Sequence, residues 1–185
     1  MKTKGMDAPR PVVGLVLEGN TEYNAIPLLL QRLGVRTGAP SVFNGQPVHA
    51  SIRSLVENRL IRYVRTQLVK ATGTVLVILD RETRPQSASE FGKRVFTEMI
   101  RQVKRLDGEE ASKRIAVVVA DRSFENWLLA DPEGIARSKL LRRNTRIVGQ
   151  VACHADDRNA KELLQRSMAR GWYERSLHGP QLAKH

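Results

Sequence analysis

Three short, uninterrupted apolar runs constrain the fold of this chain more than any other feature of its sequence. They span residues 12–17, 75–79 and 115–120 and are rich in valine, leucine and isoleucine. Apolar runs of this length without polar alternation are typical of strands covered on both faces, as in a parallel sheet. Between them, apolar residues at helical spacing predict helices over 52–68 and 91–106. This alternation predicts an α/β fold, with a mostly parallel central sheet and helices on both faces.

Turn and capping residues predict the other elements, which are shorter. They are a helix over 22–33 after the turn Gly19-Asn20-Thr21, a weak strand within 41–49, short helices opened by Ser123 and by Asp131-Pro132, and a helix over 158–168. Gly171, Gly179 and Pro180 interrupt the last fifteen residues. We therefore expect irregular structure there.

The length of 185 residues predicts one domain over 1–185, with a core at about 12–137 and a basic, looser segment at about 138–185. No apolar run approaches the roughly 20 residues of a membrane-spanning helix. The first ten residues are basic but lack the apolar stretch of a secretory signal, which predicts a cytoplasmic protein. The single cysteine, Cys153, excludes an internal disulfide framework and a cysteine-based zinc cluster.

The charge balance indicates a polyanionic partner. The chain has 31 lysines and arginines against 19 acids, a formal net charge of +12. A positive field of this size concentrates phosphates near the protein and accelerates their encounter with it, so we expect DNA or RNA as the partner. The residues predicted to contact phosphate are Lys139, Arg142, Arg143 and Arg146. Aromatic residues are only 5% and are not interleaved with the basic runs, so base stacking is expected to contribute little and backbone contact is favoured over sequence reading.

An acid follows each apolar run: Glu18, Asp80 and Asp121. Ligands of open α/β sheets bind outside the carboxyl ends of the strands, so these side chains are predicted to converge on one edge. Clustered carboxylates repel one another unless a cation lies between them, and their oxygens are the ligands that Mg²⁺ prefers. A divalent ion held by carboxylates within a basic surface has the chemistry for phosphodiester cleavage.

Three segments resemble the motif series of Toprim-like proteins. They are Glu18-Gly19-Asn20-Thr21-Glu22, Val77-Ile78-Leu79-Asp80-Arg81-Glu82 and Ser123-Phe124-Glu125-Asn126-Trp127-Leu128-Leu129-Ala130-Asp131. More narrowly, the chain is similar to a small stand-alone Toprim-like family of unknown function, related to OLD-type nucleases and RloB-like proteins, over about residues 12–180. The resemblance implies a Toprim α/β fold, an acidic centre dependent on Mg²⁺ or Mn²⁺, and a role in phage defence or nucleic-acid processing, often with a partner ATPase.

The resemblance also assigns residues by position. It implies metal binding or acid/base chemistry for Glu18, and further acids of the site at Glu22 and Glu125. Asp80 matches the first aspartate of an Asp-x-Asp metal motif, and Glu82 occupies the second position of that motif. Lys161 matches a lysine near the site. Glu82 departs from the pattern because glutamate is longer by one methylene. The metal would then sit differently, or Glu82 would bind it through water.

Each of these residues also has a purely structural interpretation. Acids early in a helix, such as Glu22 and Glu125, interact favourably with the helix dipole, and Glu18 could accept amides of the following helix. Glu82 could pair with a neighbouring arginine and Lys161 could be a solvated helix lysine. Asp121 is expected to be structural, through Arg122 or as a cap of the next turn, and Asp131 is expected to cap a helix.

The resulting functional prediction is a metal-dependent nuclease acting on DNA or RNA. Its predicted catalytic residues are Glu18, Glu22, Asp80, Glu125 and Lys161, and its predicted metal ligands are Glu18, Asp80, Glu82 and Glu125. Three alternatives stay open: a non-catalytic module that binds or senses nucleic acid for a partner ATPase, a toxin-like RNase that cleaves tRNA, and a hydrolase of small phosphate esters. The oligomeric state is left open.

Overall fold

A parallel sheet forms the centre of the protein. The computed structural model describes residues 10–44, 50–142 and 160–185. The strands are β1 Val12–Leu17, β2 Arg36–Thr37, β3 Ser41–Val42, β4 Val75–Asp80 and β5 Ile115–Ala120. Their order is β2-β1-β4-β5, and the short strand β3 also pairs with β1. All of these pairs are parallel.

Helices precede and follow the strands in the order that the apolar pattern predicts. Their bounds are α1 Asn20–Arg32, α2 Ile52–Leu55, a π-helical segment Val56–Leu60, α3 Ile61–Lys70, α4 Ala88–Asp107, α5 Glu109–Ser112, α6 Phe124–Leu129, α7 Pro132–Ala136, α8 Ala160–Ser167 and α9 Arg175–Leu182. None of the helices in the described part of the chain is both long and apolar enough to cross a bilayer.

Two hydrophobic clusters cover the two faces of the sheet. Successive side chains of a strand point to opposite faces, so Val77 and Leu79 of β4 join one cluster and Ile78 joins the other. The first face is covered by α3 and α4, and the second by α1, α6, α8 and α9. The predicted α/β class, with a parallel sheet between two helical layers, is therefore confirmed.

The predicted irregular C-terminus is wrong, because residues 175–182 form the helix α9. Glycine and proline disfavour a helix locally, but here tertiary packing outweighs that preference. Leu182 and Ala183 are buried in the cluster that also contains residues of α1. At Gly179 an added Cβ would lie 2.7 Å from Cγ2 of Thr21, so the absent side chain lets α9 approach α1 closely.

The weak strand signal over 41–49 is realised only as the two residues of β3, and residues 45–49 lie outside the described residues. The helix predicted over 52–68 is present but contains the π-helical segment. The helices opened by Ser123 and by Asp131 form as predicted, and Asp131 accepts a 2.8 Å hydrogen bond from the Gly134 amide. Of the helix predicted over 158–168, residues 160–167 are helical, and residues 158 and 159 lie outside the described residues.

Candidate functional site

The carboxyl ends of β1, β4 and β5 bring acids from three parts of the chain to one edge of the sheet. Glu18 follows β1 directly, Asp80 is the last residue of β4, and Glu125 lies in the first turn of α6 just beyond β5. The pairing of Asp80 with Ala120 aligns the ends of β4 and β5. Parallel pairing therefore places Glu18 and Asp80 close together, as the strand ends predict. The third acid is Glu125 and not Asp121, which pairs with Arg81.

Glu18 and Asp80 are joined through the backbone. Oε2 of Glu18 accepts a 2.9 Å hydrogen bond from the amide of Asp80, which fixes the Glu18 carboxylate over the end of β4. Burial raises the pKa of Glu18, although this hydrogen bond acts in the opposite direction. The structural alternative, in which Glu18 accepts amides of the following helix, is not the contact that this carboxylate makes here.

Arg175, the first residue of α9, contacts three acids at once. Its Nε donates a 2.6 Å hydrogen bond to Oε1 of Glu125. Its Nη2 lies 3.4 Å from Oδ2 of Asp80 and 3.6 Å from Oε1 of Glu22. Glu22, Asp80 and Glu125 are thus brought together around one guanidinium. We name Glu18, Glu22, Asp80 and Glu125 together the carboxylate site.

The carboxylate site carries more negative charge than Arg175 neutralises. Glu22, Asp80 and Glu125 are 4%, 7% and 1% exposed. Burial, followed by the charges of Glu22 and Glu18, raises the pKa of Asp80 to about 8. Burial also raises the pKa of Glu22. A carboxyl that holds its proton near neutral pH indicates a site short of positive charge.

Two small cavities meet at the carboxylate site. One, of about 210 Å³, is lined by Glu18, Gly19, Glu22, Asn44, Asp80, Glu82 and Arg175. The other, of about 250 Å³, is lined by Glu82, Thr83, Arg122, Ser123, Glu125, Lys161 and Arg175. Both cavities share Glu82 and Arg175. The exposed residues Glu82 and Lys161 therefore lie at the border of the site, and the buried carboxylates form its floor.

The loops that follow β4 and β5 hold a strained backbone beside these cavities. Glu82 has φ = 52° and Arg122 has φ = 104°, values that residues other than glycine rarely adopt. The Glu82 amide donates a 2.9 Å hydrogen bond to the carbonyl of Arg122, which joins the two loops. Strain of this kind clusters at functional sites and persists only where the surrounding structure enforces it.

The neighbouring charged residues of these loops have structural roles. Arg81 is buried and pairs with Asp121, while its Nη1 donates a 2.7 Å hydrogen bond to the carbonyl of Arg84. The expectation that Asp121 is structural agrees with this pair, but its partner is Arg81 and not Arg122. Asp131 is exposed and caps α7, as described above. These contacts support the loops beside the carboxylate site.

The donor chemistry of the carboxylate site fits a hard divalent cation. The site offers carboxylate oxygens, and burial together with the charges of Glu22 and Glu18 raises the pKa of Asp80. In residues 10–44, 50–142 and 160–185, however, no group of three Asp, Glu, His or Cys side chains stands at the spacing that holds a metal ion. A dication held by these carboxylates would therefore require their side chains to rearrange.

The two predicted phosphate-contacting residues that the structure describes lie elsewhere on the surface. Lys139 and Arg142 are exposed and line a cavity of about 770 Å³ beyond α7. Nε of Arg142 donates a 3.0 Å hydrogen bond to the carbonyl of Met168, which anchors this side chain. Arg143 and Arg146 lie outside the described residues.

Sequence reasoning missed Arg175. It selected Lys161 as the basic residue near the site, and Lys161 does line one of the cavities, but Arg175 makes the ion pairs. Arg175 belongs to a segment predicted to be irregular, so no predicted helix placed its side chain near the acids. A signal was present in Gly179-Pro180, four residues further on, because an isolated glycine within a helix indicates close packing of backbone.

Comparisons with known proteins place the chain in a family and find similar folds. The family model "Domain of unknown function (DUF4276)" matches residues 17–185. The C-terminal region of the Burkholderia pseudomallei OLD protein is 18% identical, with a TM-score of 0.44, and the match covers 94% of this chain and 87% of that one. The C-terminal region of the Xanthomonas campestris pv. campestris OLD protein, phased with mercury, is 15% identical, with a TM-score of 0.42, and the match covers 92% and 84%.

A comparison with curated protein sequences gives no significant match. The family model, by contrast, spans all but the first sixteen residues and includes each residue of the carboxylate site as well as Arg175. The chain therefore belongs to the family described as domain of unknown function DUF4276.

Proposed function

We propose that this protein is a nuclease that hydrolyses phosphodiester bonds of DNA or RNA with Mg²⁺ or Mn²⁺. The observation that carries the proposal is the convergence of buried carboxylates from separate elements at one edge of the sheet, around a single guanidinium. Burying this many carboxylates together is costly unless a cation compensates their charge. The Toprim-like resemblance of the same segments supports this assignment.

In the proposed site, Glu18, Asp80 and Glu125 hold the ion, with Glu82 as an additional or water-mediated ligand. A hard dication there would supply charge stabilisation to the oxygens of the scissile phosphate. Glu22, buried with a raised pKa, is the proposed base that takes a proton from the attacking water. Raised pKa values suit this task, because a base works best when its pKa lies near the working pH.

Arg175 and Lys161 complete the proposed machinery. The Arg175 side chain is 38% exposed, so its guanidinium can turn outward from the carboxylates without unfolding α9. In that position it would contact a phosphate oxygen, where arginine offers two parallel donors. Lys161 is exposed and lines the cavity that Glu125 and Arg175 also line. It would place a second positive charge next to the negative charge that develops on the phosphate.

Lys139 and Arg142, with Arg143 and Arg146 beyond the described residues, are proposed to hold the polynucleotide backbone. The resemblance to OLD-type and RloB-like proteins supports a further proposal, that the protein acts in phage defence with a partner ATPase.

The test is cleavage of labelled DNA, RNA and tRNA by the purified protein with Mg²⁺, Mn²⁺ or EDTA. We expect metal-dependent products from the wild type and none from Asp80→Asn. Asp131→Asn is the matched control, because it removes one negative charge at an exposed cap outside the carboxylate site. Equal cleavage by wild type and Asp80→Asn would refute the proposal.

A second candidate function is a non-catalytic module that binds nucleic acid for a partner. It is favoured by the ion pairs of Arg175, because a fixed guanidinium can serve as the counter-ion of the carboxylates in place of a metal. This candidate predicts salt-sensitive binding of nucleic acid without products under either metal. Cleavage restricted to tRNA would instead identify a toxin-like RNase, and turnover of small phosphate esters alone would identify a phosphohydrolase.

A further inference from the structure

We propose that an unpaired strand of nucleic acid is held by the basic cavity beyond α7 and stacks a base on Trp172. That this surface holds the substrate rests on the function proposed above, and the substrate is then single-stranded or locally unpaired nucleic acid. The surface consists of Arg137, Lys139, Arg142, Arg170 and Trp172, and we name it the strand track.

The cavity at the centre of the strand track is strongly cationic. Its volume is about 770 Å³, and four of its lining side chains are positive: Arg137, Lys139, Arg142 and Arg170. The lining residues that the structure describes include no aspartate or glutamate. Positive charge concentrated in a concave surface attracts a polyanion more strongly than the same charge spread over a convex face. The cavity is therefore suited to the sugar–phosphate backbone.

Trp172 provides an exposed aromatic surface two residues along the chain from Arg170, which lines this cavity. It is 82% exposed, whereas the other tryptophan, Trp127, packs against the hydrophobic core. Trp172 stands in the turn between α8 and α9, two residues after Arg170, and Gly171 between them has φ = +67°. An exposed indole leaves much apolar surface in water, a cost that stacking on a base would remove.

The strand track leads toward the carboxylate site. Trp172 and Arg175 are three positions apart in the chain, so their Cα atoms lie within about 11 Å of each other. The helix α9 also links the two regions directly, since Arg175 at its start contacts the acids and His178, one turn later, lines the basic cavity. A strand held by the cavity and by Trp172 would therefore pass close to the carboxylates.

The indole of Trp172 would favour single-stranded over duplex nucleic acid. Bases of a duplex are stacked on one another, whereas bases of a single strand, loop or bulge can turn outward and stack on an aromatic side chain. Composition predicts only a small contribution from stacking, whereas the exposure of Trp172 adds a stacking surface to the backbone contacts. An exposed aromatic side chain beside a cationic groove is the combination that strand-binding proteins use.

The test measures binding by fluorescence anisotropy, with EDTA present so that hydrolysis cannot interfere. The probes are a fluorescein-labelled 15-mer without self-complementarity, as DNA and as RNA, and a blunt duplex of the same length. We expect the single strands to bind more tightly than the duplex. Trp172→Ala should weaken single-strand binding at least about fivefold and Trp172→Phe much less, because phenylalanine keeps a stacking surface.

Two further variants test the charge of the cavity. Arg170→Gln should weaken binding of the single strands and of the duplex, and it should reduce the magnitude of the slope of log K against log salt by about one. Arg94→Gln, an exposed arginine on α4, and Val69→Ala, an apolar side chain 88% exposed on α3, are the matched controls and should bind as the wild type does. Unchanged single-strand affinity in Trp172→Ala, or a preference of the wild type for duplex, would overturn the inference.

These results are independent of catalysis. If the strands bind as expected and no metal supports cleavage, the nuclease proposal fails and the strand track stands as a binding surface. If the protein cleaves nucleic acid but Trp172→Ala and Arg170→Gln bind like the wild type, the strand track is wrong and the nuclease proposal is unaffected. If the wild type binds none of the single-stranded or duplex probes at any salt concentration, the strand track is not a binding surface and the inference is wrong.

Discussion

Arg175 Nε lies 2.6 Å from Oε1 of Glu125, which joins the first turn of the C-terminal helix to the helix that follows the last strand of the sheet. The same guanidinium reaches Asp80 and Glu22, so one side chain connects acids from three parts of the chain. The charges of Glu125 and Glu22 raise the pKa of Arg175 against the effect of its burial, which keeps it cationic. This contact explains how the acids remain buried together.

We predict that Arg175→Met lowers stability in EDTA by about 1–3 kcal/mol at pH 8 and by less at pH 5. Without the guanidinium, the negative charges of the carboxylates repel one another. At pH 5 the carboxylates can bind protons, which removes part of this repulsion and makes the loss of stability smaller. Mg²⁺ or Mn²⁺ should then raise the melting temperature of the variant more than that of the wild type. The measurement is thermal unfolding with and without metal, and equal metal-induced shifts would contradict the prediction.

We predict that Asp80 makes the protein less stable as the pH rises. Its pKa is about 8 in the folded protein, against an ordinary value of 3.8 for an aspartate in water, so between these values the folded state holds a proton that the unfolded state has lost. Stability therefore falls as the pH rises from about 4 to about 8. Asp80→Asn, which cannot ionise, should gain stability relative to the wild type over this range. Urea unfolding in EDTA at pH 5 and pH 8 measures the gain, and a difference independent of pH would exclude this explanation.

We predict that Gly179→Ala separates α9 from α1 and disturbs the position of Arg175. The added methyl would lie 2.7 Å from Cγ2 of the buried residue Thr21, which cannot turn away as the end of a long side chain could. Overpacking of this kind costs about 1–3 kcal/mol. Gly38→Ala is the control, because its nearest contact is an ordinary 3.7 Å. Urea denaturation compares the two variants, and equal stabilities would contradict the prediction.

We predict that Gly19→Ala impairs the site while leaving the fold largely intact. An added Cβ would lie 2.7 Å from Oε2 of Glu22, and the flexible carboxylate can move away at little energetic cost. The backbone of Gly19 is extended, with φ = −147°, so alanine adopts it without strain. Cleavage should fall several-fold relative to Gly38→Ala, with unfolding midpoints nearly unchanged. A stable variant with full activity would exclude Glu22 from the proposed chemistry.

Much of the fold could be predicted because its signals are local. The apolar runs of β1, β4 and β5 and the helical spacing in α4 reflect burial on both faces of a sheet and on one face of a helix. The same reasoning correctly predicted that Glu18 and Asp80 meet, since parallel strands end at the same edge. It also selected Asp121, which pairs with Arg81 instead, whereas Glu125 was expected only from the resemblance. The segments predicted wrongly are those in which tertiary contacts outweigh local preference. In α9, packing against α1 overrides glycine and proline.

The sequence by itself determined the α/β class, the positions of Glu18 and Asp80 at strand ends, and the excess of positive charge, because each follows from periodicity or composition. Only the tertiary structure decided that Arg175 is the cation among them and that Trp172 remains exposed beside Arg170. Long-range pairing of charges depends on where a distant helix packs, and that packing is set by the whole core. No local pattern contains this information.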